Sequence, residues 1–211
     1  MRAAHCEGIG MAGTGPKGAA KRTLLLDTAE KLIVDEGYAA VSTRRVGLEA
    51  GIKPSLVHYY FPSTDDLLQA VYQRAAEQAH QRILDALAAS RPLEALWSLS
   101  KESAHTSLGT ELYALANHRD VIRGEIAARG AAFRASEAEA LARALGGRLD
   151  QGVCDPRALI ILITGISRIL VMEQAIGLTD GHVEVSTLIE WLLDRVMRKE
   201  PDKADAEPSS P

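Results

Sequence analysis

The run from Ser42 to Phe61, STRRVGLEAGIKPSLVHYYF, restricts the fold more than any other feature of the sequence. Its first half predicts a short helix with Thr43 as its N-cap, which ends at Ala50 because Gly51 stops it. Its second half predicts another short helix over Pro54–Tyr60, since proline is tolerated in a first turn and a second proline follows the segment. Two short helices joined by a glycine-containing turn form a helix-turn-helix, so the run predicts that motif.

Helical signals continue on both sides of the motif. Apolar residues at helical spacing predict a helix from Arg22 to Glu36, which Gly37 stops. Ser63, with Asp66 three residues later, resembles a capping box and predicts the start of a long helix. Further helices are expected over 92–103, 107–117, 120–146, 155–177 and 184–198. Because no segment reads as a strand, we predict an all-α chain of about nine helices. An N-terminal three-helix bundle would carry the motif, and a C-terminal helical domain would follow it.

Composition and charge divide the chain further. Residues 1–21 are expected to be a flexible arm, 22–62 the helix-turn-helix domain, 63–198 the second domain and 199–211 a disordered tail. The first 62 residues contain eight Lys/Arg and six Asp/Glu, whereas the remainder contains 16 and 22. A mildly basic front on an acidic body is typical of a local nucleic-acid surface.

Several classes of protein are disfavoured. The two cysteines, Cys6 and Cys154, form neither a disulfide framework nor a metal cluster, so we expect no metal, no cofactor and a cytoplasmic location. The N-terminus lacks the apolar stretch of a signal peptide. Residues 8–13 formally match GxGxxG but follow no strand, so an enzyme is not expected. The apolar stretch 158–177 carries two internal charges, which favours a helix buried between protein surfaces over a membrane span.

The second helix of the motif is the element expected to enter a major groove, which is about 12 Å wide. The residues expected to face base edges are Lys53, Pro54, Ser55, His58 and Tyr59. Hydroxyl and guanidinium groups suit phosphate oxygens, and the flanking residues expected there are Thr43, Arg44, Tyr60 and Thr64. The small domain's core is expected to consist of Val46, Leu48, Ile52, Val57 and Phe61. Arg45 fits a solvated face as well as it fits a phosphate contact.

At these residues the chain resembles the tetracycline-repressor (TetR) family of bacterial regulators. The resemblance covers about residues 22–70 and runs in order through Asp35–Tyr38, Thr43–Ile52, Lys53–Phe61 and Pro62–Leu68. It implies a homodimer that binds DNA and responds to a small-molecule ligand, more often as a repressor than as an activator.

Position by position, the resemblance also implies roles for single residues. Lys53, Ser55 and Tyr59 would face bases, and Tyr60 would take the place of the usual phosphate-binding histidine or tyrosine. His58 stands where a tyrosine is frequent. Two further departures are Thr64, in place of a phosphate-contacting lysine, and Gly47, in place of an alanine, which is expected to loosen the first helix of the motif slightly.

The C-terminal helices fit an effector-binding and dimerisation domain. The resemblance implies that the helices near 155–177 and 184–198 form a four-helix interface with a second subunit. A mostly apolar wall with a few polar points predicts a small-molecule pocket. The candidate ligand-binding residues are Trp97, His105, Tyr113, Asn117, His118, Phe133, Arg168 and Glu173. Ordinary packing is the alternative for each, and the last two are equally suited to pairing across a dimer interface.

The expected partners are therefore a palindromic double-stranded DNA operator, a second copy of the chain and a small-molecule effector, with no membrane. A two-fold dimer would place its recognition helices about 34–36 Å apart, on successive major grooves. The alternatives are a helical dimer that acts through protein partners and an activator that uses the same motif.

Overall fold

The computed structural model describes residues 15–146 and 155–197, apart from the side chains of residues 103–106. Within these residues the chain forms helices and no strand, which confirms the all-α prediction. The helices are α1 (Pro16–Glu36), α2 (Thr43–Glu49), α3 (Pro54–Tyr60), α4 (Thr64–Leu87), α5 (Pro92–Ser100), α6 (Ser103–Ala116), α7 (Asp120–Leu145), α8 (Pro156–Ala175) and α9 (His182–Met197). A short 3-10 helix, Tyr38–Ala40, lies between α1 and α2.

The backbone contacts divide the chain into two compact units. The first unit contains the described residues up to Glu77 together with Ser107–Ala128. Its core draws on α1, the two short helices, the start of α4, and parts of α6 and α7. The stripe predicted on α1 is buried there, and so is Phe61 at the end of α3. This unit contains the whole predicted domain 22–62 and additional helical segments that pack on it.

The second unit contains Gln78–Thr106 and the described residues from 129 onward. Its core joins the end of α4 to α5, the second half of α7, α8 and α9. Trp97 of α5 is the largest side chain in this core and is 3% exposed. Helix α4 is continuous through Glu77 and Gln78, so it begins in the first unit and ends in the second.

One element begins earlier than predicted. Helix α1 starts at Pro16 and not at Arg22, so residues 16–21, predicted as part of the arm, are helical. Proline at the first helical position and the following Ala19, Ala20 and Lys21 favour this extension. The remaining arm residues, both cysteines, the GxGxxG match and the predicted tail lie outside the described residues.

Helix α8 contains most of the apolar stretch 158–177. By length and composition alone it could cross a membrane, with a mean hydropathy of 1.7 and 28% of the window buried. One such helix is weak evidence, because core helices pass the same test. Its buried residues are Leu159, Ile160, Ile163, Ser167 and Val171, which share one face. A helix with one buried face is packed against its own protein on that side.

Candidate nucleic-acid interface

The N-cap of the first helix of the motif lies one residue before the predicted one. Ser42, and not Thr43, is the N-cap of α2: its side-chain oxygen accepts a hydrogen bond of 3.1 Å from the Arg45 backbone N–H. The prediction of Thr43 as the cap was therefore wrong. A signal for the correct register was present, since Val41 and Val46 flank this cap as a hydrophobic staple and both are buried.

Thr43 instead connects two helices. Its backbone N–H donates to the Thr64 Oγ1 at 3.4 Å, which joins the start of α2 to the start of α4. The Thr43 side chain is buried, whereas Thr64 is half-buried. Thr64, which was expected beside a phosphate in place of a lysine, therefore accepts a hydrogen bond that joins two helices of the protein.

The turn of the motif depends on two glycines. Gly51 has a φ of +66°, the left-handed region that side chains with a Cβ rarely adopt. At Gly47, an added Cβ would lie 2.9 Å from the Val57 Cγ2 and 3.1 Å from the Ile52 carbonyl oxygen. The glycine that was expected to loosen α2 therefore permits close contact between α2 and α3.

Helix α3 separates its buried and exposed residues cleanly. Val57 and the following Phe61 are buried, whereas Pro54, Ser55, His58 and Tyr59 are exposed. Pro54 and His58 are four residues apart, and so are Ser55 and Tyr59, so the two pairs lie side by side on one helix face. All five predicted base-facing residues, with Lys53 just before the helix, are accessible to an external partner.

One predicted core residue is on the surface. Leu48 is 77% exposed, so its assignment to the core was wrong. It lies two residues after Val46, which corresponds to about 200° around a helix of 3.6 residues per turn. Val46 faces the core of the first unit, and Leu48 consequently faces away from it.

The three Lys and Arg residues of the motif have different surroundings. Arg45 forms ion pairs of 3.0 Å with both Glu36 and Glu49. Arg44 and Lys53 are exposed, and neither has an ion-pair partner among the described residues. The two latter cations thus carry positive charge that no protein carboxylate in the described chain neutralises.

Aromatic residues at the end of α3 contact one another and α1. The Tyr59 and Tyr60 rings meet edge to face, with centroids 5.3 Å apart. The Arg22 guanidinium lies 5.3 Å from the centroid of the Phe61 ring, which joins α1 to the end of α3. His58 Nδ1 lies 3.3 Å from the Pro62 carbonyl oxygen. This contact of Arg22 was not predicted from the sequence.

Helix α4 begins with the predicted capping box. The Ser63 Oγ accepts from the Asp66 N–H at 3.1 Å, and the Asp66 carboxylate accepts from the Ser63 N–H at 2.9 Å. Arg74 then holds α4 to α1 through Asp27 at 2.7 Å and Glu30 at 2.8 Å. The two ion pairs fix α4 against α1 within the first unit.

The predicted ligand-binding residues of the first unit lie on α6 and in the turn after it. Tyr113, Asn117 and His118 are all exposed, and His118 stacks on Tyr38 with ring centroids 6.4 Å apart. His105 also falls within α6 but belongs to the second unit, and its side chain is not among those that the structure describes.

In the second unit the predicted ligand-binding residues belong to separate clusters. Trp97 donates its indole N–H to Glu190 at 3.3 Å. Phe133 stacks on His80 with centroids 4.0 Å apart, and Glu173 contacts His182 at 2.9 Å. Arg168 is half-buried in the middle of α8. The structure does not bring these four residues into one cavity, so the ligand pocket stays a prediction.

Partners of two of these residues were missed by the sequence analysis. His80 lies 2.9 Å from the carboxylate of Glu137, which is 7% exposed, and Glu190 accepts from Trp97. Each pair joins helices far apart in the sequence, so no local spacing could reveal it.

Among the described residues, no group of three or more His, Cys, Asp or Glu side chains is suited to hold a metal.

Comparison with known proteins identifies the motif. Residues 25–71 match the family model for bacterial regulatory proteins of the tetR family. An HTH-type transcriptional regulator, BetI from Rhizobium meliloti (strain 1021), is 32% identical over 84 residues. That alignment covers 39% of this chain and 41% of the relative, so the chain spans about two fifths of that relative's length.

Solved structures extend the similarity to the rest of the fold. A TetR-family transcriptional regulator from Rhodococcus sp. has a TM-score of 0.68 at 19% identity, covering 85% of this chain and 100% of that one. A transcriptional regulator from Saccharomonospora viridis, solved in complex with choline, has a TM-score of 0.64 at 21% identity, covering 84% and 95%. The resemblance to the TetR family is thus confirmed at the helix-turn-helix, and the fold is shared over most of the chain.

Proposed function

We propose that this chain is a homodimeric transcription regulator that binds a palindromic operator through α2 and α3 and leaves it when a small molecule binds. Residues 22–62 form its DNA-binding domain and residues 63–198 its effector-binding and dimerisation domain. Transcription is repressed while the operator is occupied.

The exposed face of α3 is the observation that carries this proposal. It presents Lys53, Ser55 and Tyr59 on a segment that matches the tetR family model. Arg44 and Lys53 remain available for phosphates or bases, because no described carboxylate pairs with them. A short helix that exposes polar residues in its first turns is suited to reading base edges in a major groove.

An exposed apolar surface on the last two helices supports dimerisation. Opposite its buried face, α8 exposes Ile161, Leu162, Ile169 and Met172, while α9 exposes Leu188 and Trp191. Contiguous apolar patches on a protein surface mark interaction sites, and a second copy of the chain supplies a matching one. A dimer formed there would present two motifs to successive grooves of a palindrome.

Ligand control is proposed by analogy with the choline complex of the S. viridis regulator. Helix α4 can couple ligand binding to operator binding, since it begins shortly after the motif in the sequence and ends in the second unit. A ligand that favours the non-binding arrangement lowers operator affinity only as far as its preference for that arrangement.

The deciding experiment is selection of DNA sites from a random pool by the purified full-length chain, repeated at several salt concentrations. We expect a palindrome with half-sites about one helical turn apart, and an affinity that falls as salt rises. Binding without sequence preference, or no binding at physiological salt, would overturn the regulator proposal and favour a helical dimer with protein partners.

Dimerisation is tested separately by sedimentation of charged variants. Ile169→Glu places a carboxylate in the exposed patch of α8 and should yield monomers. Val121→Glu is the matched control, because Val121 is also apolar and 62% exposed but lies on α7 in the first unit. Equal sedimentation of the two variants would argue against an α8–α9 interface.

A further inference from the structure

A groove in the second unit already holds an ammonium group of the protein itself. The Lys101 Nζ lies 5.0 Å from the centroid of the Trp97 ring and 3.7 Å from a carboxylate oxygen of Glu190. The same Glu190 oxygen accepts the indole N–H at 3.3 Å, which fixes the carboxylate beside the ring. An aromatic face combined with a carboxylate is an arrangement that attracts organic cations.

The ammonium lies at a half-open groove. The groove has a volume of about 320 Å³ and is lined by residues of α8 and α9 together with Lys101. Its neutral polar groups come from Gln174, Ser186 and Thr187. That volume lies at the lower end of the range for small-molecule pockets, roughly 300–1,000 Å³.

We propose that this groove binds a small organic ammonium ion, which takes the place of the Lys101 ammonium between the Trp97 ring and the Glu190 carboxylate. Lys101 is easily displaced, because it is the C-cap residue of α5 and its side chain is 42% exposed. Exposed ion pairs and exposed cation–π contacts are both weak. When the lysine swings into solvent, Glu190 loses its cation and the ring loses its cover.

The charges of the groove disfavour other ligand classes. An anion would need a free cation, but Lys101 is paired with Glu190, and His182 contacts Glu173 at 2.9 Å. A hard metal ion such as Ca²⁺ or Mg²⁺ requires several oxygen ligands arranged around it. Glu190 is the single carboxylate among the lining residues, and the Trp97 ring beside it supplies no oxygen ligand.

Fluorescence of Trp97 provides a direct test. The sequence has two tryptophans, so a full-length Trp191→Phe variant reports on Trp97 alone. Tetramethylammonium chloride is titrated at constant ionic strength against sodium chloride, with tert-butanol as a neutral probe of similar shape. We expect a saturable change with tetramethylammonium and none with tert-butanol.

Further substitutions in the Trp191→Phe variant test which residues form the binding site. Lys101→Ala should tighten tetramethylammonium binding roughly three- to tenfold, because the internal competitor is gone. Glu190→Gln should weaken it by a similar factor, while the introduced amide oxygen still accepts the indole N–H. Glu184→Gln is the matched control, since Glu184 is an exposed carboxylate on the same helix but outside the groove, and it should change nothing.

The proposal fails if Lys101→Ala shows no saturable response to tetramethylammonium by either fluorescence or calorimetry. It fails equally if Glu190→Gln and Glu184→Gln bind alike. Because these titrations contain no DNA, their outcome is independent of whether the chain proves to be a DNA-binding regulator.

Discussion

Basic side chains have different surroundings on the recognition face of the first unit and in the second unit. On the recognition face of the first unit, Arg44 and Lys53 have no carboxylate partner among the described residues. In the second unit, His80, Lys101 and His182 each contact a carboxylate of the same unit. Unpaired cations are available to an external polyanion, whereas paired groups organise the helices that carry them. The difference separates a surface suited to DNA from one suited to smaller partners.

Apolar exposure differs in a complementary way. The first unit buries Phe61 at the end of α3 and exposes large apolar side chains only singly, spread over several helices, whereas the second unit exposes several of them together on α8 and α9. A unit whose core is closed can hold its recognition helix rigidly. A unit with an uncovered apolar patch needs a partner to bury it.

The largest expected effect tests the closed core. Phe61→Ala should lower the free energy of unfolding by about 3–5 kcal/mol, because Phe61 is 2% exposed and its removal leaves a cavity. Tyr59→Ala, two residues earlier, should change stability by less than about 0.5 kcal/mol, since Tyr59 is 56% exposed. Urea denaturation followed by circular dichroism measures both. Similar losses for the two variants would mean that α3 does not separate core from surface as described.

The next effect tests the recognition face itself. Lys53→Ala should weaken operator binding by about 1–3 kcal/mol and relax the preference at one base pair, if Lys53 reads a base. Lys31→Ala is the control, because Lys31 is exposed on α1, away from the motif. Binding to the operator and to single-base variants measures both quantities. An equal loss on every DNA sequence would make Lys53 a phosphate contact instead.

Much of the first unit was predictable because its signals are local. The start of α3 at Pro54, the capping box of Ser63 and the end of α1 at Gly37 all depend on residues within one turn of each other. The register of α2 was misread by one residue because Ser42 and Thr43 are both good caps. The buried pair Val41 and Val46 decides between them, and it is visible in the sequence once a staple is sought.

The second unit resisted prediction because its contacts are long-range. Trp97 and Glu190 are 93 residues apart, and His80 and Glu137 are 57 apart, so their pairing follows only from how the helices pack. Trp97 and Glu173 were chosen as ligand residues for their chemical type. In the structure each already has a partner, Glu190 for Trp97 and His182 for Glu173. Residue type alone could not distinguish a free functional group from a satisfied one.

A smaller effect compares the same substitution in the two units. Gly51→Ala should destabilise the protein by about 1–2 kcal/mol, because its φ of +66° disfavours any residue with a Cβ. Gly130→Ala, in α7 of the second unit, should be neutral or stabilising by up to about 1 kcal/mol. A Cβ there meets nothing within 4 Å, and alanine is the better helix former. Thermal unfolding of both variants gives the signs, and a loss at Gly130 as large as that at Gly51 would contradict the assignment of the turn.

The smallest effect distinguishes two neighbouring arginines. Arg44→Ala should weaken DNA binding nearly equally on all sequences and reduce the salt dependence by about one unit of slope, as expected for one lost phosphate contact. Arg45→Ala should reduce the slope less, because its guanidinium is held 3.0 Å from both Glu36 and Glu49.

Operator affinity measured from low to physiological salt gives the two slopes. A larger change for Arg45 would mean that its ion pairs open on DNA and that the internal pairing does not predict which cation meets the phosphate. In that case the contrast between the two units would hold only for the unbound protein. DNA would then break the ion pairs of Arg45 with Glu36 and Glu49, and the freed guanidinium would contact a phosphate.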